Sequence, residues 1–97
     1  MRFRVRFFPS ALADLDEATS YLVTHNPRAA YAWLRKFEDI FKLLQYQPRS
    51  GVPRDDIRPG MRRLVKENYN IFYEIVGDEI VIVRIIHGRR NPIDPLV

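Results

Sequence analysis

The chain begins with a strict alternation of apolar and basic residues. In RFRVRFF, residues 2–8, Phe3, Val5 and Phe7 alternate with three arginines. A period of two places the apolar side chains on one face of an extended backbone and the arginines on the other. This segment is therefore predicted to be a strand with one buried face.

Two segments with helical periodicity follow. The first, PSALADLDEATSYLVTHN (residues 9–26), repeats leucine and valine at helical spacing, and Ser10 is its predicted N-cap. Its early acidic residues, Asp14, Asp16 and Glu17, are interpreted as a solvated helix start that the helix dipole favours.

The second helical segment is NPRAAYAWLRKFEDIFKLLQYQP, residues 26–48. Asn26 is its predicted N-cap, Pro27 occupies the first helical position, and Pro48 ends it. A long apolar stripe that includes Trp33 is interpreted as core. Because the two helices share a very short junction, they are predicted to form an antiparallel helical hairpin.

The remaining pattern predicts a loop and three strands. Turn-forming residues dominate positions 49–60, where one short helical turn is the most structure expected. The strands are predicted at Met61–Lys66, Tyr69–Val76 and Glu79–His87, with tight turns at Glu67–Asn68 and Gly77–Asp78. The order β-α-α-β-β-β predicts a single α+β domain over residues 1–97, with the helical hairpin packed on one face of a mainly antiparallel four-stranded sheet.

The last predicted strand is apolar at both parities, unlike the first. Val81, Val83 and Ile85 are predicted on one side, and Ile80, Ile82 and Ile86 on the other. A strand with one solvated face alternates with polar residues. Two explanations remain open: the strand is central with both faces covered, or one face is left for a partner.

Composition limits the class of protein. The chain has 97 residues, a net charge of +4 and no cysteine, so neither disulfides nor thiolate metal sites hold it together. It contains no secretory signal pattern and no apolar run long enough for a membrane span, so a cytoplasmic protein without membrane contact is expected. The basic balance, mostly arginine, favours an acidic partner.

The sequence lacks the usual catalytic and metal templates. There is no glycine-rich phosphate loop and no paired histidine motif, so no cofactor and no metal are expected. His25 is interpreted as a residue at the end of the first helix, where its cation suits the helix dipole. His87 lies at the end of the last strand, and it is the one residue available there as a general acid or base.

Basic residues cluster around the last three strands. Neighbouring strands bring them together at one end or face of the sheet, although a charge run is often only solvated surface. The candidate partner-binding residues are Arg58, Arg62, Arg63, Lys66, Arg84, His87, Arg89 and Arg90.

Three stretches resemble a known family. These are LADLDEATSYLVTHNPRAA, RPGMRRLVKENYNIFYEI and IVIVRIIHGRR, which together extend from about Val5 to Arg90. In this order they are similar to the ParE branch of the RelE/ParE superfamily, the toxins of bacterial type II toxin–antitoxin systems. The resemblance implies the same fold that the residue pattern predicts.

The resemblance implies two different activities. ParE-type relatives inhibit DNA gyrase and stall replication, and the HGRR ending of the last strand is typical of that branch. RelE-type relatives are ribosome-dependent mRNA endoribonucleases, which usually use a tyrosine or histidine near the C-terminus. The first, non-enzymatic reading is preferred because no tyrosine follows His87. In the alternative, His87 is the acid or base and Arg62, Arg63, Arg84 and Arg89 hold the phosphate.

The same resemblance implies a protein partner. A cognate ParD-like antitoxin is expected to wrap the toxin in a hetero-oligomer, with DNA contacted only indirectly through the antitoxin. An apolar strand face and an arginine-rich surface suit an acidic, amphipathic segment that folds on binding. A third possibility is a degenerate toxin that serves mainly as a co-repressor with its antitoxin.

Overall fold

The computed structural model describes residues 2–88. Its helices are α1 (Pro9–His25) and α2 (Pro27–Tyr46), and a single 3-10 turn follows at Pro48–Ser50. Its strands are β1 (Arg4–Phe7), β2 (Val52–Pro53), β3 (Arg62–Lys66), β4 (Tyr69–Val76) and β5 (Glu79–His87). The α+β class and the helical hairpin on one face of the sheet are confirmed.

The sheet has five strands rather than the four predicted. Their order is β1-β5-β4-β3-β2, and β1 pairs with β5 in parallel while the other pairs are antiparallel. The additional strand, β2, lies in the segment predicted as loop and pairs with the first two residues of β3. Two residues that include a proline give no alternation from which a strand could be predicted.

The two helices begin differently. At α2 the predicted N-cap, Asn26, is confirmed, because the Ala29 N–H donates to the Asn26 Oδ1 atom over 3.2 Å. At α1 the prediction is wrong: Phe8 occupies the N-cap position without a side-chain cap, and Ser10 lies inside the first turn. The Ser10 hydroxyl instead donates to the carbonyl oxygen of Val83, 2.8 Å away on β5.

Tight turns join the last three strands as predicted. Glu67 and Asn68 both have positive φ, 51° and 66°, which is typical of a type I′ hairpin turn. Gly77 has a φ of 60° and Asp78 completes the second two-residue turn. These turns fix the register of β3 against β4, and that of β4 against β5 from the turn as far as the Tyr73–Ile82 pair.

The central strand β5 is buried on both faces, as the first of the two explanations requires. A β-bulge interrupts its pairing with β4: Phe72 lies opposite Arg84, whereas the next residue, Tyr73, lies opposite Ile82. Val83 is therefore the additional residue, and the alternation changes phase there. Ile85 consequently packs with the helix-side cluster, not with Val83 as the unbroken alternation predicted.

A different set of residues covers each face. The helix-side cluster combines α1 and α2 with both central strands; its buried members are Ala11, Phe37, Leu44, Ile71, Tyr73, Ile80, Ile82 and Ile85. The smaller opposite cluster contains Met61, Phe72, Val83 and Ile86, against which Phe8 and Ile57 pack. Ile57 and Met61 place the 54–61 loop over the sheet face that the helices leave open.

Within residues 2–88, neither helix is long and apolar enough to cross a membrane.

Candidate interaction surfaces

Three site residues meet at one end of the sheet. The register places Lys66 opposite Tyr69, and Tyr69 opposite His87, in a row across β3, β4 and β5. The rings of Tyr69 and His87 contact edge to face with centroids 5.3 Å apart. Since neighbouring strands lie about 4.8 Å apart, Lys66 and His87 are separated by about 10 Å of backbone.

An open groove of about 500 Å³ lies on the helix side of this row. Aromatic rings form much of its wall: Trp33 contacts Tyr69 with centroids 5.3 Å apart, and Tyr21 stacks on His25 at 4.2 Å. Its lining is completed from α1 and β5, and includes Asp14, Glu17, Ala18, Leu22, Ile85 and His87. Tyr21 remains 64% exposed, so the groove presents an aromatic ring to solvent beside the acidic side chains of α1.

Arg84 is held by α1. Its Nε and Nη2 atoms donate to the two carboxylate oxygens of Asp14 over 2.7 and 3.0 Å, a bidentate pair. This hydrogen bonding raises the pKa of Arg84, so the guanidinium stays charged. Asp14 lies in the second turn of α1 with only 8% of its side chain exposed, so its interpretation as part of a solvated helix start is wrong.

The same carboxylate completes the edge of β5. Strand β1 ends at Phe7, which pairs with Ile82, so it supplies no ladder to β5 beyond that residue. The N–H of Ile85 donates to Asp14 Oδ2 over 2.9 Å, and Ser10 bonds the carbonyl of Val83. Two α1 side chains therefore replace the missing strand, since a backbone group withdrawn from water needs a partner. The sequence alone could not reveal this role of Asp14 and Ser10, because it depends on where β1 stops pairing with β5.

Arg62 and Tyr73 fasten the turn before β2. Arg62 Nη1 donates to the Gly51 carbonyl over 2.7 Å, and the Tyr73 hydroxyl donates to the Pro48 carbonyl over 2.7 Å. The same hydroxyl accepts the Gly51 N–H over 2.7 Å. Burial raises the pKa of Tyr73, which favours the protonated phenol. Tyr73 therefore acts in sheet packing, with its hydroxyl used internally.

The other basic candidates divide between the loop side of the sheet and the undescribed tail. Arg58 forms an ion pair with Glu74 of β4. Arg63 lies beside Phe72, and its Nε atom is buried without a hydrogen-bond acceptor among residues 2–88. Arg89 and Arg90 lie outside the described residues.

The predicted basic cluster is therefore distributed. Lys66 and His87 share one end of the sheet, while Arg63 and Arg84 flank Phe72 in a different row. Arg62 is bonded to the turn at Gly51. In the described part of the chain no group of three or more histidine or acidic side chains is placed to hold a metal ion.

Comparisons with known proteins agree on one family. Residues 5–92 match the model of the ParE toxin of the type II toxin–antitoxin system parDE. Toxin ParE3 of Caulobacter vibrioides is 35% identical over 80% of this chain and 79% of its own length. Toxin ParE1 of Mycobacterium tuberculosis is 30% identical over 94% of this chain and 95% of its own.

Solved structures show the same fold. A chain of the chromosomal ParDE toxin–antitoxin system from P. aeruginosa superposes with a TM-score of 0.73 at 27% identity, covering 89% of this chain and 96% of that one. A chain of the RelBE2 toxin–antitoxin complex from Mycobacterium tuberculosis gives 0.66 at 27% identity, covering 90% and 99%. The match over nearly the whole fold, and the family model that spans it, show that this chain belongs to the ParE toxins of type II toxin–antitoxin systems.

Proposed function

We propose that this protein inhibits DNA gyrase, and that a cognate ParD-like antitoxin neutralises it by direct binding. The observation on which the proposal rests is membership of the ParE family over residues 5–92. The intramolecular contacts add support for a toxin that works by binding. Arg84 and Arg62, which a ribonuclease would need for its phosphate, already bond Asp14 and the Gly51 carbonyl.

The row of Lys66, Tyr69 and His87 is the proposed gyrase contact. It combines a cation, a phenol and an imidazole, all partly exposed, at one end of the sheet, and aromatic residues such as Tyr69 are enriched at protein interfaces. Most arginines of the sheet already have partners within the chain. Lys66 is therefore the cation that a partner protein can bind without breaking such a contact.

A supercoiling assay tests the target. Purified toxin is expected to block supercoiling of relaxed plasmid by gyrase, and Lys66→Glu is expected to raise the toxin concentration needed for half-inhibition about tenfold, as loss of a charged interface contact of about 1.4 kcal/mol would. Lys42→Glu, an equal charge change on the exposed side of α2, is the matched control. Full activity of gyrase at a large excess of toxin would contradict the proposal.

A RelE-like ribosome-dependent endoribonuclease is the second candidate. It is favoured by the superposition on the RelBE2 complex and by the place of His87 beside Tyr69. Primer extension on a translated message distinguishes the two activities. Codon-linked cuts that disappear in His87→Ala, together with normal gyrase activity, would establish the ribonuclease.

The aromatic groove is the proposed antitoxin surface. The expectation that one face of β5 is left for the antitoxin does not hold, because both faces are covered. The groove between α1, α2 and the end of β5 is a concave surface of the described residues in which aromatic rings are accessible. The two solved structures described above come from toxin–antitoxin systems, which supports a partner of this class.

Co-expression with the product of the neighbouring reading frame tests this surface. Tyr21→Ala removes an exposed ring of the groove and is expected to reduce antitoxin affinity by about 1–2 kcal/mol, or roughly tenfold in Kd by calorimetry. Tyr31→Ala removes a ring that is 76% exposed on α2 and does not line the groove, so it is the control. Equal losses in both variants would place the antitoxin elsewhere.

A further inference from the structure

The charge of the aromatic groove is opposite to that of the chain as a whole. Basic residues outnumber acidic ones in the sequence, 16 to 12. The described residues that line the groove nevertheless include two carboxylates, Asp14 and Glu17, and neither a lysine nor an arginine. Asp14, Glu17 and Tyr21 are three and four residues apart, so they share one face of α1. The groove is therefore an acidic site on a basic protein.

The two carboxylates of the groove have different roles. Asp14 accepts hydrogen bonds from Arg84 and from the Ile85 N–H, so its charge is balanced within the chain. Glu17 is exposed. The hydrogen bond from Asp14 raises the pKa of Arg84, and the nearby charges of Asp14 and Glu17 add to this effect. Because one guanidinium faces two carboxylates, these three side chains together have a net charge of −1.

Three aromatic rings line the groove from three different elements. Trp33 of α2 and Tyr69 of β4 meet at an interplanar angle of 69°, so their rings form a corner. One face of the Tyr21 ring stacks on His25, and the side chain is still 64% exposed. The face of an aromatic ring attracts a cation through its negative quadrupole. The rings and the excess negative charge therefore favour the same class of ligand.

These features discriminate between the side chains that could enter the groove. A carboxylate would be repelled by Glu17, and an aliphatic side chain would leave the acidic end of the groove without a complementary group. A lysine supplies only a point charge. The planar guanidinium of an arginine stacks on aromatic rings and also binds a carboxylate through two parallel hydrogen bonds. Arginine is therefore the complementary occupant.

We infer that the groove receives an arginine side chain from the antitoxin, with its guanidinium stacked on the aromatic rings and directed toward Glu17. The inference rests on the proposed function, which assigns this groove to the antitoxin. It adds a basic residue to a binding segment whose other charges are expected to be acidic.

Capped amino acids test the groove without the antitoxin. The probe is N-acetyl-arginine amide, and the matched probe is N-acetyl-citrulline amide, in which a neutral urea group replaces the guanidinium. Trp33 is the only tryptophan of the chain, so its indole N–H gives a single NMR signal from the groove. Both probes are titrated into the intact toxin at constant ionic strength, because added salt would screen the charged probe alone.

The arginine probe is expected to shift the Trp33 indole signal and to bind about tenfold more tightly than the citrulline probe, because it gains both a cation–π contact and an ion pair. Equal affinity of the two probes, or arginine binding that leaves the Trp33 signal unchanged, would overturn the inference.

Two substitutions separate the contributions of charge and ring. Glu17→Gln removes the charge and Tyr21→Leu removes a ring, and each is expected to raise the Kd of the arginine probe about threefold. Glu38→Gln and Tyr31→Leu make the same changes at exposed positions of α2 that do not line the groove, so the Kd should stay at the wild-type value. Thermal melts establish that all four variants are folded. Equal effects in the variants and their controls would contradict the inference.

A double-mutant cycle identifies the arginine of the antitoxin. Each arginine of the co-expressed antitoxin is replaced by glutamine, and its Kd is measured by calorimetry with the wild-type toxin and with Glu17→Gln. One replacement is expected to be non-additive with Glu17→Gln, because the two side chains contact each other. If Tyr21→Ala weakens the complex and no arginine couples to Glu17, the inference is wrong and the antitoxin site stands. Equal losses in Tyr21→Ala and Tyr31→Ala would instead contradict the antitoxin site, and with it the inference, even if the arginine probe binds.

Discussion

The hydroxyl of Tyr73 makes two hydrogen bonds in the core. It accepts from the Gly51 N–H and donates to the Pro48 carbonyl, so its loss leaves a buried donor without a partner. Tyr73→Phe is expected to reduce the free energy of unfolding by about 1–3 kcal/mol in urea titrations. Tyr46→Phe, at a side chain that is 66% exposed, should change it little. Equal stability of the two variants would show that the Tyr73 hydroxyl contributes nothing.

The pKa of Tyr73 also determines how stability responds to alkali. Burial raises this pKa above its usual value near 10, so the folded state holds the phenol proton more tightly than the unfolded state. The stability that this provides is complete below about pH 10 and is lost as the pH rises further. The difference in unfolding free energy between wild type and Tyr73→Phe should therefore shrink as the pH rises above about 10.

Asp14 is the residue whose role differs most from its sequence interpretation. Asp14→Asn leaves the partly buried guanidinium of Arg84 without its charge partner, and is expected to destabilise the protein by about 2–3 kcal/mol. Asp16 lies on the exposed side of the same helix. The free energy of unfolding of Asp16→Asn should therefore stay within about 0.5 kcal/mol of the wild-type value. Chemical denaturation of the two variants compares them directly.

These examples show what the sequence can predict about single residues. Asn26 and Pro27 could be identified because a helix start depends on the local chain. The partners of Asp14 and Tyr73 are 70 and 25 residues away in sequence, and only the folded register brings them together. Arg62 and Arg84 were predicted as partner-binding residues because their contacts within the chain are likewise distant in sequence.

At the scale of elements, the junction between the helices is set by one side chain. Asn26 caps α2 while its own N–H bonds the Leu22 carbonyl at the end of α1 over 2.6 Å. Asn26→Ala is expected to cost about 1 kcal/mol of stability, because the first turn of α2 loses its acceptor. Thr24→Ala, two residues earlier and exposed, is the control for helix propensity. Thermal denaturation with circular dichroism measures both.

The strands show the same division between local and distant information. The boundaries of β4 and β5 were predicted without error because alternation and two-residue turns are local signals. Strand β2 was missed because its two residues carry no strand pattern of their own. Only their pairing with Arg62 and Arg63 makes them a strand. The bulge at Val83 was missed as well, since every neighbouring residue except Arg84 is apolar and no pattern marks the extra one.

At the scale of the molecule, one sheet separates two clusters of unequal size. Met61 is fully buried in the smaller one, so Met61→Ala is expected to cost about 2–5 kcal/mol. A domain of this size normally unfolds as one unit. The free energy that protects the Phe37 and Leu44 amides from hydrogen exchange should therefore fall by the same amount that Met61→Ala takes from the free energy of unfolding. Unchanged hydrogen exchange at those two amides would show that the 54–61 loop opens independently of the helical side.

The bulge at Val83 also determines where the chain can present its histidine. Between Ile82 and His87 the strand contains one residue more than its partner uses. If Val83 instead took a place in an unbroken alternation, Ile85 and His87 would exchange sides with Ile86, and the imidazole would lie on the opposite face of the sheet. Its contact with Tyr69 would then be lost. Deletion of Val83 alone would thus leave a regular ladder in which His87 still lies opposite Tyr69, because the remaining residues already match β4 one to one.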